Sequence, residues 1–265
     1  MLFRSQLRLA QDLPDAVTDN QLLLNYQPIV RICDKEVIGV EALVRWMHPQ
    51  LGLLFPDSFI PLAEGSGSID ALTEWVLEED IRQGGGWIAA GKRLSGSVNM
   101  SALILHNPAF PDMVAKQLEK TGFPAELLKL EITESAIISD VNRATEIVTR
   151  LHEMGVCLSI DDFGTGYTSL AYLRRLPVDE IKIDKSFVLN MIHVADDEVI
   201  VRTLLDLAKS LGLSVVAEGV EDAQIWKILE ALDCDVAQGY FMSRPIDLDT
   251  FNDWLTTQPW KEELK

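Results

Sequence analysis

Acidic side chains interrupt four apolar runs of the sequence, each near the end of its run. Glu41 stands in "GVEALVRW", Glu131 in "LKLEITES", Asp161 and Asp162 in "LSIDDFG", and Glu218 in "VVAEGVE". A buried carboxylate without a partner is costly, so each of these groups needs a cation or a hydrogen-bond donor. Carboxylates that share a site are therefore candidate ligands for a hard metal ion.

Other polar groups end neighbouring runs in the same way. These residues are Arg45, Asn99, Glu134, Lys182, Glu221 and Gln238. Lys182 is the one evident base beside Arg45, so clustered carboxylates could not all stay ionised without added cations. The proposed donors are hard oxygens, which favours Mg²⁺ or Mn²⁺. Two such ions about 3.5 to 4 Å apart suit phosphodiester hydrolysis, because they hold the phosphate and lower the pKa of a bridging water.

Each polar residue taken singly also has a structural interpretation. Glu41 and Arg45 could form an ion pair, Asn99 could cap the helix that follows it, and Asp162 or Thr165 could cap the next turn. The set as a whole favours a metal site, because successive strands would supply polar groups to one end of a sheet. The histidines have no metal-like spacing, and we read them as surface or packing residues of loops and helices: His48, His106, His152 and His193.

The elements that would position these residues are short apolar strands alternating with longer amphipathic helices. Eight strands are predicted at 22–30, 37–46, 96–101, 127–133, 156–161, 180–184, 214–218 and 235–241. Too few residues separate the first two strands for a parallel crossover, so the first should run antiparallel to the second. The pattern predicts an α/β fold, a TIM-like (β/α)8 barrel, whose chemistry lies at the carboxyl ends of the strands.

The bulk properties fit one soluble domain over residues 1–265, with a lead-in helix at 1–20. The net charge of −18 excludes a general binder of nucleic-acid polymers, which needs a basic face. No run of 18 apolar residues is present, so the chain itself should not span a membrane. The three cysteines, Cys33, Cys157 and Cys234, are expected to be buried free thiols in a reducing compartment.

A series of motifs in order resembles one known family. "YQPIV", "EALVRW", "VNMS", "LEITES", "DDFGTGYTSL", "IKIDKSF", "AEGVE" and "QGYFMSRPI" together are similar to the EAL domain, the bacterial cyclic di-GMP phosphodiesterase, named after the triplet at residues 41–43. The resemblance implies metal-dependent hydrolysis of cyclic di-GMP to linear 5′-pGpG by a metal-activated water. The alternative within the family is a receptor that binds cyclic di-GMP without cleaving it.

The resemblance also implies a role for each matching residue. The implied ligands of two Mg²⁺ or Mn²⁺ ions are Glu41, Asn99, Glu131, Asp161 and Asp162. Glu218 resembles the candidate general base, and Lys182 the group that holds the nucleophilic water. The residues similar to substrate-binding groups are Gln27, Arg45 and Gln238. Glu134 and Glu221 resemble supporting residues, Glu134 being tied to the "DFGTGYTSL" loop.

The family further implies partners beyond this chain. A homodimer is expected, and the segment 167–176, "YTSLAYLRRL", is predicted to be a helix that could serve as its interface. Sensor or diguanylate cyclase domains could belong to a longer parent protein. The implied location is the bacterial cytoplasm, with a parent protein that could be attached to the membrane.

Overall fold

The computed structural model describes residues 2–166 and 173–264, and its strands close into a barrel. The strands are β1 Leu22–Arg31, β2 Val37–His48, β3 Gly52–Leu54, β4 Ser95–Met100, β5 Leu128–Thr133, β6 Cys157–Phe163, β7 Glu180–Ile183, β8 Ser214–Ala217 and β9 Val236–Gln238. Eight of them follow the order β1-β9-β8-β7-β6-β5-β4-β2, and β1 pairs again with β2 to close the ring. The predicted fold class is confirmed.

Strand β1 is antiparallel to both of its neighbours, while the other barrel strands are parallel. The cause is the short link from Arg31 to Val37, in which Lys35 adopts a left-handed φ of 61°. This link can close a hairpin but cannot carry a crossover helix. The predicted orientation of the first strand is therefore confirmed.

The helices pack around the outside of the barrel. They are α1 Leu2–Thr18, α2 Pro56–Ser66, α3 Ile69–Ala89, α4 Phe110–Thr121, α5 Glu134–Ser139, α6 Val141–Glu153, α7 Lys185–Asn190, α8 Ala195–Leu211, α9 Ala223–Ala231 and α10 Leu248–Thr257. Helix α8 ends at Gly212, whose φ of 74° lets its N–H close the last turn. In the predicted helix 167–176, residues 167–172 lie outside the described part of the chain.

Strand β5 shows how the barrel separates its two faces. Leu128, Leu130 and Ile132 belong to the apolar core, whereas Lys129 and Glu131 make ion pairs with groups on β7. Alternation along a strand sends successive side chains to opposite faces. The barrel interior is therefore polar along this strand. Among the described residues, no helix combines the length and apolar character that crossing a membrane requires.

Two predictions, the burial of all three cysteines and the position of His48, are wrong. Cys234 is buried as predicted, but Cys157 is only half-buried. Cys33 is exposed rather than buried, because β1 ends at Arg31 and the cysteine falls in the turn. His48 lies at the end of strand β2 rather than in a loop or helix. It is a buried packing residue, with Nε2 3.2 Å from Asp12 Oδ2 of helix α1 and with Nδ1 accepting the N–H groups of Gln50 and Leu51.

Candidate active site

The carboxyl ends of the barrel strands meet around one buried lysine. Lys182 Nζ lies 2.7 Å from both Glu131 Oε2 and Glu218 Oε1, and its side chain is only 1% exposed. Glu41 Oε2 and Asp161 Oδ1 are each 3.7 Å from the same nitrogen. Strands β2, β5 and β6 and the residue just after β8 thus bring four carboxylates to the ammonium group of β7.

Glu41 accepts hydrogen bonds from two amides. Asn99 Nδ2 donates to Glu41 Oε1 at 2.6 Å, and Gln238 Nε2 donates to the second oxygen. Asn99 is not the cap of the following 3-10 helix, since Ser101 Oγ accepts the N–H of Leu103 there. The alternative capping role for Asn99 is therefore excluded.

Gln238 begins a chain of amides that leads out of the site. Its Nε2 lies 3.2 Å from Gln27 Oε1, and Gln27 Nε2 donates to the Ser243 carbonyl at 3.1 Å. Gln27 and Gln238, both predicted from sequence as substrate-binding residues, are thus placed beside Glu41. Gly239, which follows Gln238, packs so tightly on Val220 that an added Cβ would lie 2.1 Å from the Val220 carbonyl oxygen.

Two consecutive aspartates come together because strand β6 is irregular. The pairing of β6 with β7 shifts between Ile160 and Phe163, and Asp162 adopts a φ of 54°. Aspartate tolerates this left-handed conformation better than most residues. As a result, one oxygen each of Asp161, Asp162 and Glu218 lie within 4.8 Å of one another, a spacing that could hold a metal ion.

Burial and crowding of negative charge shift the pKa values of the acids. Burial raises the pKa of Glu131 to about 8 and that of Glu218 to about 7, although Lys182 opposes both shifts. Burial, aided by Asp161, raises the pKa of Asp162 to about 6. Burial also acts to raise the pKa of Glu41, but Lys182 and the two amides outweigh it and the pKa lies below its usual value.

The pKa of Lys182 moves in the opposite direction. Burial alone would lower the pKa of this lysine, but Glu131 and Glu218, together with the more distant acids, hold it well above its ordinary value. The lysine therefore stays positively charged. It neutralises only part of the negative charge that surrounds it.

Glu134 supports the loop that follows strand β6. Its Oε2 accepts the backbone N–H of Gly164 at 3.0 Å and that of Gly166 at 3.3 Å. An added Cβ on Gly166 would lie 2.6 Å from Glu134 Oε1, so the close approach requires glycine. Glu221, the other predicted supporting residue, lies instead on the wall of the adjacent cleft.

That cleft, of about 460 Å³, opens beside Glu41 and Glu218. Arg45 and Gln27 also line it, and a second cavity of about 480 Å³ extends past Asn99 between strand β2 and helix α3. The two share the lining residues Leu43, Pro56 and Asp57. Glu41 and Glu218 line only the first of these two spaces.

Arg45 does not pair with Glu41, contrary to one of the structural alternatives. Its Nη1 donates to the Val44 carbonyl at 2.9 Å, and the guanidinium carbon lies 5.0 Å from the centre of the Phe55 ring. Phe55 and Tyr240 are cleft residues that sequence reasoning missed. Tyr240 stands within the quoted motif "QGYFMSRPI", but Phe55 carries no signal in the sequence.

A family model for the EAL domain matches residues 10–245. The chain belongs to the EAL domain family. It is 45% identical over 251 residues to the cyclic di-GMP phosphodiesterase NbdA of Pseudomonas aeruginosa, covering 94% of this chain and 32% of NbdA. It is 43% identical over 244 residues to the bifunctional diguanylate cyclase/cyclic di-GMP phosphodiesterase MucR of the same species, covering 92% of this chain and 36% of MucR. The EAL chain therefore spans about a third of the length of these relatives.

A solved structure agrees with the barrel. The PaMucR phosphodiesterase in its c-di-GMP complex superposes with a TM-score of 0.88 at 42% sequence identity, covering 92% of this EAL chain and 99% of that one. The resemblance inferred from the motifs is thus confirmed at the level of family and fold.

Proposed function

We propose that this EAL domain hydrolyses cyclic di-GMP to linear 5′-pGpG with the aid of two divalent ions, Mg²⁺ or Mn²⁺. The observation that carries the proposal is the cluster around Lys182, in which four carboxylates converge on one ammonium group beside a cleft. Relatives described as cyclic di-GMP phosphodiesterases support the choice of substrate and reaction.

The donor set fits hard metal ions. Glu131 Oε1 is buried without a hydrogen-bond partner among the described residues, so this oxygen is available to a ligand. The residues that would hold the ions are Glu41, Asn99, Glu131, Asp161 and Asp162, all oxygen donors. When bound, the ions supply charge stabilisation to the phosphodiester and lower the pKa of the attacking water.

Two residues of the chain would handle the water and its proton. Lys182 donates a hydrogen bond that holds the water, and Glu218, 2.7 Å from Lys182 Nζ, lies near enough to accept the proton. The water oxygen attacks phosphorus, and the bond from phosphorus to the ribose 3′ oxygen breaks. The leaving oxygen takes a proton from solvent, and the product retains a 5′ phosphate.

The cleft beside the carboxylate cluster would receive the cyclic dinucleotide. Its volume is about 460 Å³, and Glu41, Glu218 and Arg45 line it. Arg45 is suited to the phosphate because a planar guanidinium can donate two parallel hydrogen bonds. Gln27 and Gln238 would contact the substrate from the same side as Glu41.

The wider context of the domain is part of the proposal. We propose a homodimer and a cytoplasmic location, which the resemblance of the motifs implies. An EAL barrel joined to sensor or diguanylate cyclase domains would fit relatives about three times as long, of which MucR is described as a bifunctional diguanylate cyclase/cyclic di-GMP phosphodiesterase. Glu134 would link the loop after β6 to the metal centre in such a dimer.

The test is to incubate the purified chain with cyclic di-GMP, with Mg²⁺ or Mn²⁺ in one arm and EDTA in the other, and to separate the nucleotides by chromatography. We expect linear 5′-pGpG to accumulate only with metal. Intact nucleotide in both arms, together with measurable binding, would replace the hydrolase with the receptor. Absence of both binding and cleavage would overturn the proposed substrate.

A further inference from the structure

Arg45 is a buried residue with few polar contacts among the described residues. The residue is 6% exposed, yet among the described residues no carboxylate lies within ion-pair distance of it, and its Nε has no hydrogen-bond partner. Among the described residues its one side-chain hydrogen bond goes to the carbonyl of Val44, the residue before it in the chain, and no hydrogen bond ties the guanidinium to another element. A further contact is needed to aim the guanidinium into the cleft.

Phe55 supplies that contact, and the β2–β3 hairpin places it there. Trp46 pairs with Leu54 across the hairpin, so one step further along the same register Arg45 faces Phe55. The backbone of Phe55 remains extended, and Pro56 then begins helix α2, which fixes the end of the hairpin. The ring lies 5.0 Å from the guanidinium carbon, within the range of a cation–π interaction.

Phe55 is a large apolar side chain that is exposed rather than packed in the core. It is 56% exposed and lines the same cleft as Arg45 and Glu41. Its contribution to the apolar core is accordingly small. The ring lies at the surface of the cleft and contacts the guanidinium of Arg45. This position indicates a role in ligand binding rather than in core packing.

We infer that Phe55 is a positioning residue for Arg45 and sets the affinity of the cleft for a phosphodiester. The inference rests on the proposed function. The ring holds the guanidinium in one orientation, so that binding the phosphate does not have to order a free arginine side chain. The effect should fall on binding and KM rather than on the chemical step, because the ring acts on Arg45, which makes no ion pair with the Lys182 cluster among the described residues.

The experiment measures the dissociation constant for cyclic di-GMP with Ca²⁺ in place of Mg²⁺, and chromatography of each sample verifies that the nucleotide stays intact. Phe55→Leu keeps the apolar character but removes the ring, and we expect binding weaker by about three- to tenfold. Phe55→Trp keeps a ring and should bind within about twofold of the parent chain. Leu53→Ala, at a 42% exposed position of the same hairpin, is the matched control and should change nothing.

A double-mutant cycle tests whether Phe55 acts through Arg45. In an Arg45→Gln background, Phe55→Leu should have no further effect on binding. An equal loss in both backgrounds would show direct contact with the nucleotide and overturn the inference, as would unchanged binding by Phe55→Leu. With Mg²⁺, Phe55→Leu should raise KM and leave kcat unchanged.

The parent chain separates the two proposals. If it binds cyclic di-GMP and Phe55→Leu binds equally well, only the role of Phe55 fails. If the parent chain neither binds nor cleaves the nucleotide, the proposed function fails, and the role of Phe55 fails with it.

Discussion

The ammonium group of Lys182 lies 2.7 Å from Glu131 Oε2, and both side chains are at most 1% exposed. Fifty-one residues separate them in the chain, and they meet because β5 and β7 are two strands apart in the barrel. The same nitrogen contacts Glu218. The lysine is therefore the counter-charge on which the whole carboxylate cluster depends when no metal is bound.

Replacing Lys182 with methionine should destabilise the metal-free protein. Removal of one partner from a buried ion pair costs about 3–5 kcal/mol of unfolding free energy, because the remaining carboxylates lose their counter-charge. We expect a lower thermal midpoint in EDTA and a larger increase on adding Mg²⁺ than the parent chain shows. Thermal unfolding with and without Mg²⁺ measures both.

The control for this substitution is Lys227→Met, which removes an exposed lysine from helix α9. Its midpoint should match the parent chain in both conditions. If Lys182→Met were as stable as the parent chain in EDTA, the lysine would not be the counter-charge of the cluster.

Replacing Glu41 with glutamine should weaken metal binding while the barrel remains folded. The substitution keeps the size of the side chain and removes one negative charge, and Glu131 and Glu218 still hold Lys182. We expect Mn²⁺ affinity to fall by at least about tenfold, measured by titration calorimetry. Glu230→Gln, at an exposed position of α9, should leave the affinity unchanged, and an unchanged value for Glu41→Gln would remove Glu41 from the ligand set.

The sequence was sufficient for the eight strands of the barrel and for the polar residues near their ends, since nearly continuous apolar runs ending in polar residues are typical of buried parallel strands. It could not reveal that Asp161 and Asp162 reach the same side, because this depends on the shifted pairing of β6 and the φ of Asp162. Strand β3 was missed because three residues give no periodic pattern. Phe55 was missed because only the register of the β2–β3 hairpin places it opposite Arg45.

Replacing Glu218 with glutamine should separate turnover from binding. A general base contributes about 10²- to 10⁴-fold to a reaction rate, so kcat should fall by that order while the dissociation constant for cyclic di-GMP stays within about threefold. Nucleotide chromatography and binding in Ca²⁺ measure the two quantities. A parallel fall in Mn²⁺ affinity would instead place Glu218 among the metal ligands.

Asp80 of helix α3 is a buried carboxylate remote from the carboxylate cluster, and it should make stability depend on pH. Neither of its oxygens has a hydrogen-bond partner among the described residues, and Oδ2 would lie 2.0 Å from a Cβ added to Gly96. The nearby Tyr26 hydroxyl is also buried without a partner there. Burial, with a smaller effect from Glu79, raises the pKa of Asp80 to about 7.

The sign of the pH effect follows from linkage. Between the usual aspartate pKa and pH 7 the folded chain holds a proton that the unfolded chain has released, so stability falls as pH rises through this range. The loss approaches about 4 kcal/mol above pH 7, since each pKa unit corresponds to about 1.4 kcal/mol. Asp80→Asn removes this titration, although burying an amide carries a smaller cost of its own, about 1–3 kcal/mol.

We therefore expect the stability of Asp80→Asn to increase relative to that of the parent chain as pH rises. The difference in thermal midpoint, Asp80→Asn minus parent chain, should be several degrees larger at pH 8 than at pH 5. Denaturant unfolding across this range measures the free energy directly. Glu74→Gln, an exposed position on the same helix, is the control and should follow the parent chain at every pH. Equal slopes for Asp80→Asn and the parent chain between pH 5 and pH 7 would show that Asp80 is ionised throughout and that an unseen donor compensates its burial.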